Sequence, residues 1–186
     1  DWEKIVSKMG ISKDDEIVVY DNSDVLSSCR CWYNFIYFGH SDKLIHVLNG
    51  GLKKWKSENK PITSIITKIN PTKYTSSERK NLVKNKSEIN ENINSEKFKV
   101  IDARSKERFE GKVKEPRKGL RSGSIPKSMC IPFGNLINDD NTFKNENEIL
   151  NIFKNTLGEE ITTNIVFSCG SGVTASVLAL AYSLIN

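Results

Sequence analysis

The chain has 186 residues, 37% hydrophobic and 27% charged, and its 28 lysines and arginines against 23 acids leave a net charge of +5. That supplies enough apolar material for one large core or two small ones, and no stretch approaches the roughly 20 apolar residues of a bilayer-spanning helix, so such a span is excluded. The basic residues are scattered among acids rather than gathered into a patch, which argues for a solvated lysine-rich surface and against nucleic acid as a partner.

In chain order, Asp1-Trp2-Glu3 reads as the interior of a helix. Glu16-Ile-Val-Val-Tyr-Asp21 is β-branched and is expected to form a buried strand. From Cys29 to Phe38 the aromatic spacing predicts a helix with Trp32, Phe35 and Ile36 on one face, closed by Gly39. Leu44 to Leu48 is a second strand, Asn49-Gly-Gly51 a tight turn, and Leu52 to Glu58 a short helix stopped by Pro61. Residues 68–97 are rich in Lys, Asn, Ser and Glu, and read as a linker whose Leu82, Val83, Ile89 and Ile93 hold a short docked helix.

The pattern then restarts. Lys99 to Asp102 is a strand, Arg104 to Pro116 a helix running into a loop, and the segment between Ile125-Pro and Ile131-Pro a short extended piece. Asn145 to Leu157 is an amphipathic helix with Ile149, Ile152, Phe153 and Leu157 on one side. Asn164 to Ser168 is a strand that runs through Cys169-Gly-Ser-Gly-Val-Thr174 into an apolar helix, and a helix that apolar needs a sheet on one side. Strands alternating with helices mean an α/β fold with parallel sheets, here in two units: residues 1–67, a linker 68–97, and residues 98–186. The chain lacks an initiator methionine and its last helix stops abruptly at Asn186, so it is expected to be part of a longer protein.

Of the four cysteines, Cys29 and Cys31 form a C-x-C, Cys130 stands alone, and the histidines are His40 and His46. None of these spacings matches a zinc site or a disulfide scaffold, so neither metal nor cofactor is expected and free thiols in a reducing compartment fit best. Cys169 differs. It follows a strand and precedes a helix, where parallel sheets bind ligands. Gly170 and Gly172 let the backbone curl so that successive amides point inward, and the helix adds its positive end. Both effects lower a thiol's pKa and prepare a nucleophilic thiolate. In a chain that favours lysine, Arg104, Arg108, Arg117 and Arg121 gather in one segment leaving the Val100–Ala103 strand. Arginine grips carboxylates and sulfur oxyanions through a planar fork; the plainer alternative is surface pairing with Glu107, Glu110 and Glu115.

Three segments resemble the catalytic domain of the tandem-rhodanese sulfurtransferases: Asp102-Ala-Arg-Ser-Lys-Glu-Arg-Phe-Glu-Gly111, Glu115-Pro-Arg-Lys-Gly-Leu-Arg-Ser-Gly-Ser-Ile-Pro126 and Cys169-Gly-Ser-Gly-Val-Thr-Ala175. The Gly-Ser after the cysteine is similar to the 3-mercaptopyruvate enzymes, whereas the thiosulfate enzymes usually carry Arg-Lys there. Val19-Tyr-Asp21, Trp32, Phe38-Gly-His40 and Val47 to Leu52 through Trp55 resemble the second half of the family's inactive N-terminal domain.

The resemblance implies two rhodanese-like domains, each a mainly parallel sheet flanked by helices. It implies that Cys169 takes sulfur from 3-mercaptopyruvate as a persulfide and passes it to a thiol acceptor such as thioredoxin, or to cyanide. Arg108 and Arg117 match the arginines that hold the donor, Ser171 the loop serine linked to proton transfer, and Gly170, Gly172, Val173 and Thr174 complete the binding loop. It departs from the family at Ser124, where Gly-His-Ile-Pro is common, and in lacking the N-terminal partners proposed to assist Ser171. His40 matches a structural position, and Cys29, in the inactive domain's loop region, Cys31 and Cys130 match no catalytic one. The alternatives are a thiosulfate sulfurtransferase, a sulfur-relay or binding module, and a Cys-dependent phosphatase, the last disfavoured by a short loop that ends in Thr174 instead of Arg. A cytoplasmic location is expected, with the mitochondrion as the alternative.

Overall fold

The computed structural model describes every residue except 160, 162 and 163. It is α/β, with two parallel sheets flanked by helices. The first unit opens with α1 (Trp2–Lys8), then β1 (Ile17–Val19), α2 (Ser28–Tyr37), β2 (Ile45–Val47) and α3 (Gly51–Ser57). β1 and β2 pair in parallel, Ile17 opposite Ile45 and Val19 opposite Val47. The expected face of α2 forms the core: Trp32 and Phe35 are buried with Val6, Ile45 and Tyr74, and Ile36 packs against them. The strand expected to be buried across Glu16–Asp21 is shorter and only half-buried. Ile17 and Val19 face this core, but strand alternation turns Val18 outward, 58% exposed.

Residues 72–79 run along this unit. Thr72 N–H donates to the Ser7 carbonyl (2.9 Å), Ser77 N–H to Phe38 (3.0 Å) and Arg79 N–H to Tyr37 (2.8 Å). The docked helix, α4 (Lys86–Ser95), holds Ile89 and Ile93 but not Leu82 or Val83. Its start is set by a capping box, in which the Asn85 side chain accepts from the Glu88 amide and the Glu88 carboxylate from the Asn85 amide.

The second unit comprises β3 (Lys99–Asp102), α5 (Lys106–Phe109), β4 (Met129–Cys130), α6 (Glu146–Leu157), β5 (Ile165–Ser168) and α7 (Val173–Ser183). Its three parallel strands lie in the order β4-β3-β5, with Lys99 opposite Ile165 and Asp102 opposite Ser168. The helix expected from Arg104 to Pro116 shrinks to the single turn of α5. The chain bends at Gly111 (φ +75°), and Glu115 returns to bond both Arg104 and Arg108. In a continuous helix Glu115 would sit about 10 Å along the axis from Arg108, out of reach.

α7 is apolar nearly all round because it is covered on several sides. Leu178, Ala181 and Tyr182 pack with Ile101 and Phe153, and Ile165 and Phe167 of the sheet lie against that cluster. Ala179 and Leu180 pack on the first unit's core, and Val177 on Leu26 and Cys29. The helix that carries the Cys169 loop is thus the joint between the units. Among the described residues no helix is long and apolar enough to cross a membrane.

Candidate active site

β5 delivers Cys169 just past its carboxyl end, where the Ser168 carbonyl still accepts from the Ala103 amide (2.8 Å). The backbone then turns tightly: Gly172 takes φ +82°, a left-handed conformation natural to glycine, and caps α7. This turn aims amides at the sulfur, with Gly172 N–H at 2.9 Å from Cys169 Sγ and Ser171 N–H at 3.5 Å. The Thr174 hydroxyl and the Ala175 amide, at the start of α7, also act to lower the thiol's pKa. Burial by itself pushes the thiol's pKa up, but these four donors outweigh it and hold Cys169 below the ordinary value of 9.0. Ser176, itself buried, locks the turn by donating its hydroxyl to the Gly172 carbonyl (2.8 Å). The half-buried Val173 opens α7. Ser171 is exposed on the rim.

The four arginines have different fates. Arg104 is consumed internally: its guanidinium donates to Asp102, to Glu115 (2.9 Å) and to the Gly123 carbonyl (2.8 Å), with a side chain only 9% exposed. Arg108 forks onto Glu115 at 3.0 and 2.6 Å, which raises its pKa further, and its Nη2 lies 3.2 Å from where a Cβ on Gly170 would stand. Gly170 is therefore the face that the guanidinium covers. Arg117 is exposed and brings Nη1 to 3.5 Å from the Gly170 carbonyl. Arg121 is exposed. The expected residues thus converge as Cys169, its loop, Arg108 and Arg117, while Arg104 acts as internal scaffolding.

The other thiols are quiet. Cys29 lies in the first turn of α2, not in a loop, and is wholly buried; burial and the Asp21 charge push its pKa up to about 12. Burial, with Asp102 beside it, pushes Cys130 up to about 11, and burial also raises Cys31. His40 is buried, with Nε2 3.1 Å from the Asp15 carbonyl and Nδ1 3.3 Å from the Tyr74 hydroxyl, and burial lowers its pKa. Among the described residues no group of three or more His, Cys, Asp or Glu side chains is placed to hold a metal.

Three contributors escaped the sequence. Glu115 was only one of several surface partners, yet its side chain is 3% exposed, and the hydrogen bonds from Arg108 lead in holding its pKa low. Its spacing from Arg104 and Arg108 follows no regular element, so pattern gives no signal. Arg30 reaches over from α2, and its Nη1 lies 2.5 Å from where a Cβ on Gly172 would stand. An arginine in a lysine-rich chain was the available signal. Ser176 gives none. Arg30 also lines a cleft of about 800 Å³ with Tyr33, Phe98, Phe167, Gly172 and Ala175, but Cys169, Arg108 and Arg117 do not line it.

The rhodanese-like domain family matches residues 1–58 and 85–185. The chain is 36% identical over 197 residues to "Thiosulfate/3-mercaptopyruvate sulfurtransferase 1, mitochondrial" of Arabidopsis thaliana, covering 94% of this chain and 51% of that one. It is 35% identical over 179 residues to the thiosulfate sulfurtransferase of Rattus norvegicus, covering 95% and 59%. Among solved structures it superposes on SseA from Escherichia coli, described as a 3-mercaptopyruvate sulfotransferase with the rhodanese fold. The TM-score is 0.81 at 26% identity, over 98% of this chain and 66% of that one. The chain spans little more than half the length of the curated relatives it matches.

Proposed function

This chain belongs to the rhodanese-like domain family, and from that premise we propose that residues 98–186 are the catalytic half of a sulfurtransferase that takes its sulfur from 3-mercaptopyruvate. In this reading residues 1–67 are the inactive half and 68–97 the linker. The observation that carries it is the Cys169 sulfur ringed by donors inside an uncharged Gly-Ser loop, with Arg108 and Arg117 outside.

The Cys169 thiolate attacks the donor's sulfur. The new S–S bond forms as the donor's C–S bond breaks, and the electron pair leaves on carbon, conjugated with the keto group. The proton from the donor thiol ends on that carbon, so the products are a cysteine persulfide and pyruvate. Arg108 and Arg117 grip the carboxylate and the keto oxygen, where charge grows as the bond breaks. The Gly170–Thr174 turn holds first the thiolate and then the terminal persulfide sulfur, and Ser171 on the rim assists the proton's passage. A thiol acceptor such as thioredoxin, or cyanide, then removes the sulfur. A monoanionic donor suits a loop without internal cations, whereas a dianion such as thiosulfate favours cations within it.

Thiosulfate is the second reading, favoured by the similar identity to a relative named for that donor alone. Four free thiols suit a reducing compartment, and we place the protein in the cytoplasm, with the mitochondrion as the alternative. The deciding experiment is the intact mass of the purified protein before and after brief exposure to each donor. One added sulfur from 3-mercaptopyruvate, lost in Cys169→Ser, is the expected result. Sulfur from thiosulfate alone selects the second reading, and sulfur retained by Cys169→Ser removes Cys169 from its role.

A further inference from the structure

The segment from Gly111 to Gly123 is a loop closed on itself. Ser122 donates its hydroxyl to the Val113 carbonyl (3.0 Å), and the Arg104 guanidinium holds the Gly123 carbonyl (2.8 Å). A β-carbon on Gly111 would stand 3.3 Å from the Gly123 amide nitrogen, so the two ends lie together. Compact surface loops of this kind are frequently functional. The loop's one acid, Glu115, turns inward: its carboxylate bonds Arg104 and Arg108, and its side chain is 3% exposed. Its five cations, Lys112, Lys114, Arg117, Lys118 and Arg121, all stay exposed. Lys112 pairs with Glu110 (2.6 Å); the other four have no carboxylate partner among the described residues. In sequence Glu115 stands among these cations, but folding withdraws it and leaves a face of one sign. Val113 and Leu120 are exposed among the cations. The face begins at the Cys169 loop, since Arg117 Nη1 lies 3.5 Å from the Gly170 carbonyl.

We infer that this loop is the docking surface for a protein acceptor whose reactive cysteine lies in an acidic segment. The inference rests on the reading of Cys169 as the persulfide carrier and adds the chemistry of its acceptor. Cations beside the sulfur steer an anionic partner towards it and fix its orientation. Val113 and Leu120 add apolar contact over a span that a protein covers and a small thiol does not. In the transfer, the acceptor thiol gives its proton to solvent and its thiolate attacks the terminal sulfur of the persulfide. The new S–S bond forms as the persulfide bond breaks, and Cys169 leaves as a thiolate held by the Gly172 amide.

The test loads the chain from a sulfur donor, verifies one added sulfur by intact mass, and follows its transfer to two cysteine peptides of equal length. One peptide carries Glu on both sides of the cysteine and the other carries Gln. Lys114→Gln, Lys118→Gln and Arg121→Gln are combined in one variant; all three side chains are exposed, and none holds the donor. The readout is the ratio of transfer rates, Glu peptide over Gln peptide, compared between proteins so that the intrinsic reactivities of the two thiols cancel. The expected result is a fall of about tenfold in this variant, and a similar fall for the parent when salt rises from about 20 mM to about 500 mM. Transfer to the Gln peptide holds. Lys4→Gln, Lys8→Gln and Lys43→Gln together remove the same charge from exposed positions of the first unit and are expected to leave the ratio within about twofold. A ratio unmoved by the loop variant, or lowered equally by the first-unit variant, overturns the docking role alone. If neither donor adds sulfur, the persulfide reading falls and takes this inference with it.

Discussion

Two turns of this molecule share one design. After β1 the chain passes through Asp21 into α2, and after β5 it passes through Cys169 into α7. In the first turn, Asp21 accepts hydrogen bonds from the Ser23 amide (2.8 Å), the Ser23 hydroxyl (3.0 Å) and the Ser28 amide. In the second, Cys169 Sγ accepts from the amides of Ser171 and Gly172. Both place a hydrogen-bond acceptor against inward-facing amides at a helix start. The first turn fills its nest with a carboxylate that has no further chemistry to perform. The second fills it with a sulfur that can be attacked and can accept another sulfur. The anion-stabilising geometry belongs to the fold, and the reactivity belongs to one residue.

The strongest test of that contrast is Cys169→Ser. If the fold supplies only the nest, the variant keeps its thermal midpoint while sulfur uptake, followed by intact mass, falls about a thousandfold or more. A persulfide still forming at the parent rate breaks the contrast. The next test uses the thiols themselves. Cys169 is held below its ordinary pKa, whereas Cys29 is pushed to about 12 and Cys130 to about 11. Alkylation by iodoacetamide near pH 7, mapped by peptide mass, is therefore expected to label Cys169 first. Its rate rises with pH with a midpoint below the ordinary thiol value of 9.0, because the reactive thiolate is half formed at the lowered pKa. Equal labelling of Cys29 contradicts it.

Gly172→Ala probes the turn rather than the sulfur. A β-carbon there meets Arg30 at 2.5 Å and forces an L-residue to φ +82°, a strain of about 1–2 kcal/mol. Because the same residue supplies the 2.9 Å amide, uptake is expected to slow about ten- to a hundredfold. Gly158, at φ +98° and ψ 179° with open space around it, is the control: Gly158→Ala carries backbone strain at least as large and leaves uptake per folded molecule unchanged. Equal effects at both glycines mean that the turn contributes stability alone.

What the sequence disclosed and what it withheld follow from the range of the forces. Strand–Cys–Gly-x-Gly–helix is a local signal, and so is the amphipathic run that opens at Asn145, so β5, α6 and α7 stand where short-range patterns put them, whereas α4 starts at Lys86 and leaves out Leu82 and Val83. The helix expected from Arg104 to Pro116 stops after α5 because the chain bends at Gly111 and Glu115 folds back onto both arginines. The half-exposed β1 has the same origin, since only the packed core reveals which face of Ile17-Val-Val19 it takes. Residue type and segment left surface pairing open for all four arginines; that Arg108 and Arg117 should serve the Cys169 loop was implied by the family resemblance. The guanidinium of Arg30 over Gly172 required the packing of α2 against α7, which joins residues far apart in sequence.

The smallest expected effect falls in the first turn. Asp21→Asn removes a charged acceptor from the start of α2, comparable to losing a helix cap, at about 1–2 kcal/mol. Sulfur uptake per folded molecule should not change, because Asp21 has no place in the chemistry. Burial raises the Asp21 pKa, but the hydrogen bonds from Ser28 and Ser23 prevail and hold it below its ordinary value of 3.8. Its folded pKa therefore lies below its unfolded one. The stabilisation is fully present above the unfolded value and is lost as pH falls through the folded value. Urea midpoints of parent and Asp21→Asn should thus differ at pH 7 and converge as the carboxylate protonates in acid. A gap that widens in acid reverses the sign and shows that Asp21 is not held as an anion. In that case the two turns share only a backbone path, and the amide nest is peculiar to the cysteine loop.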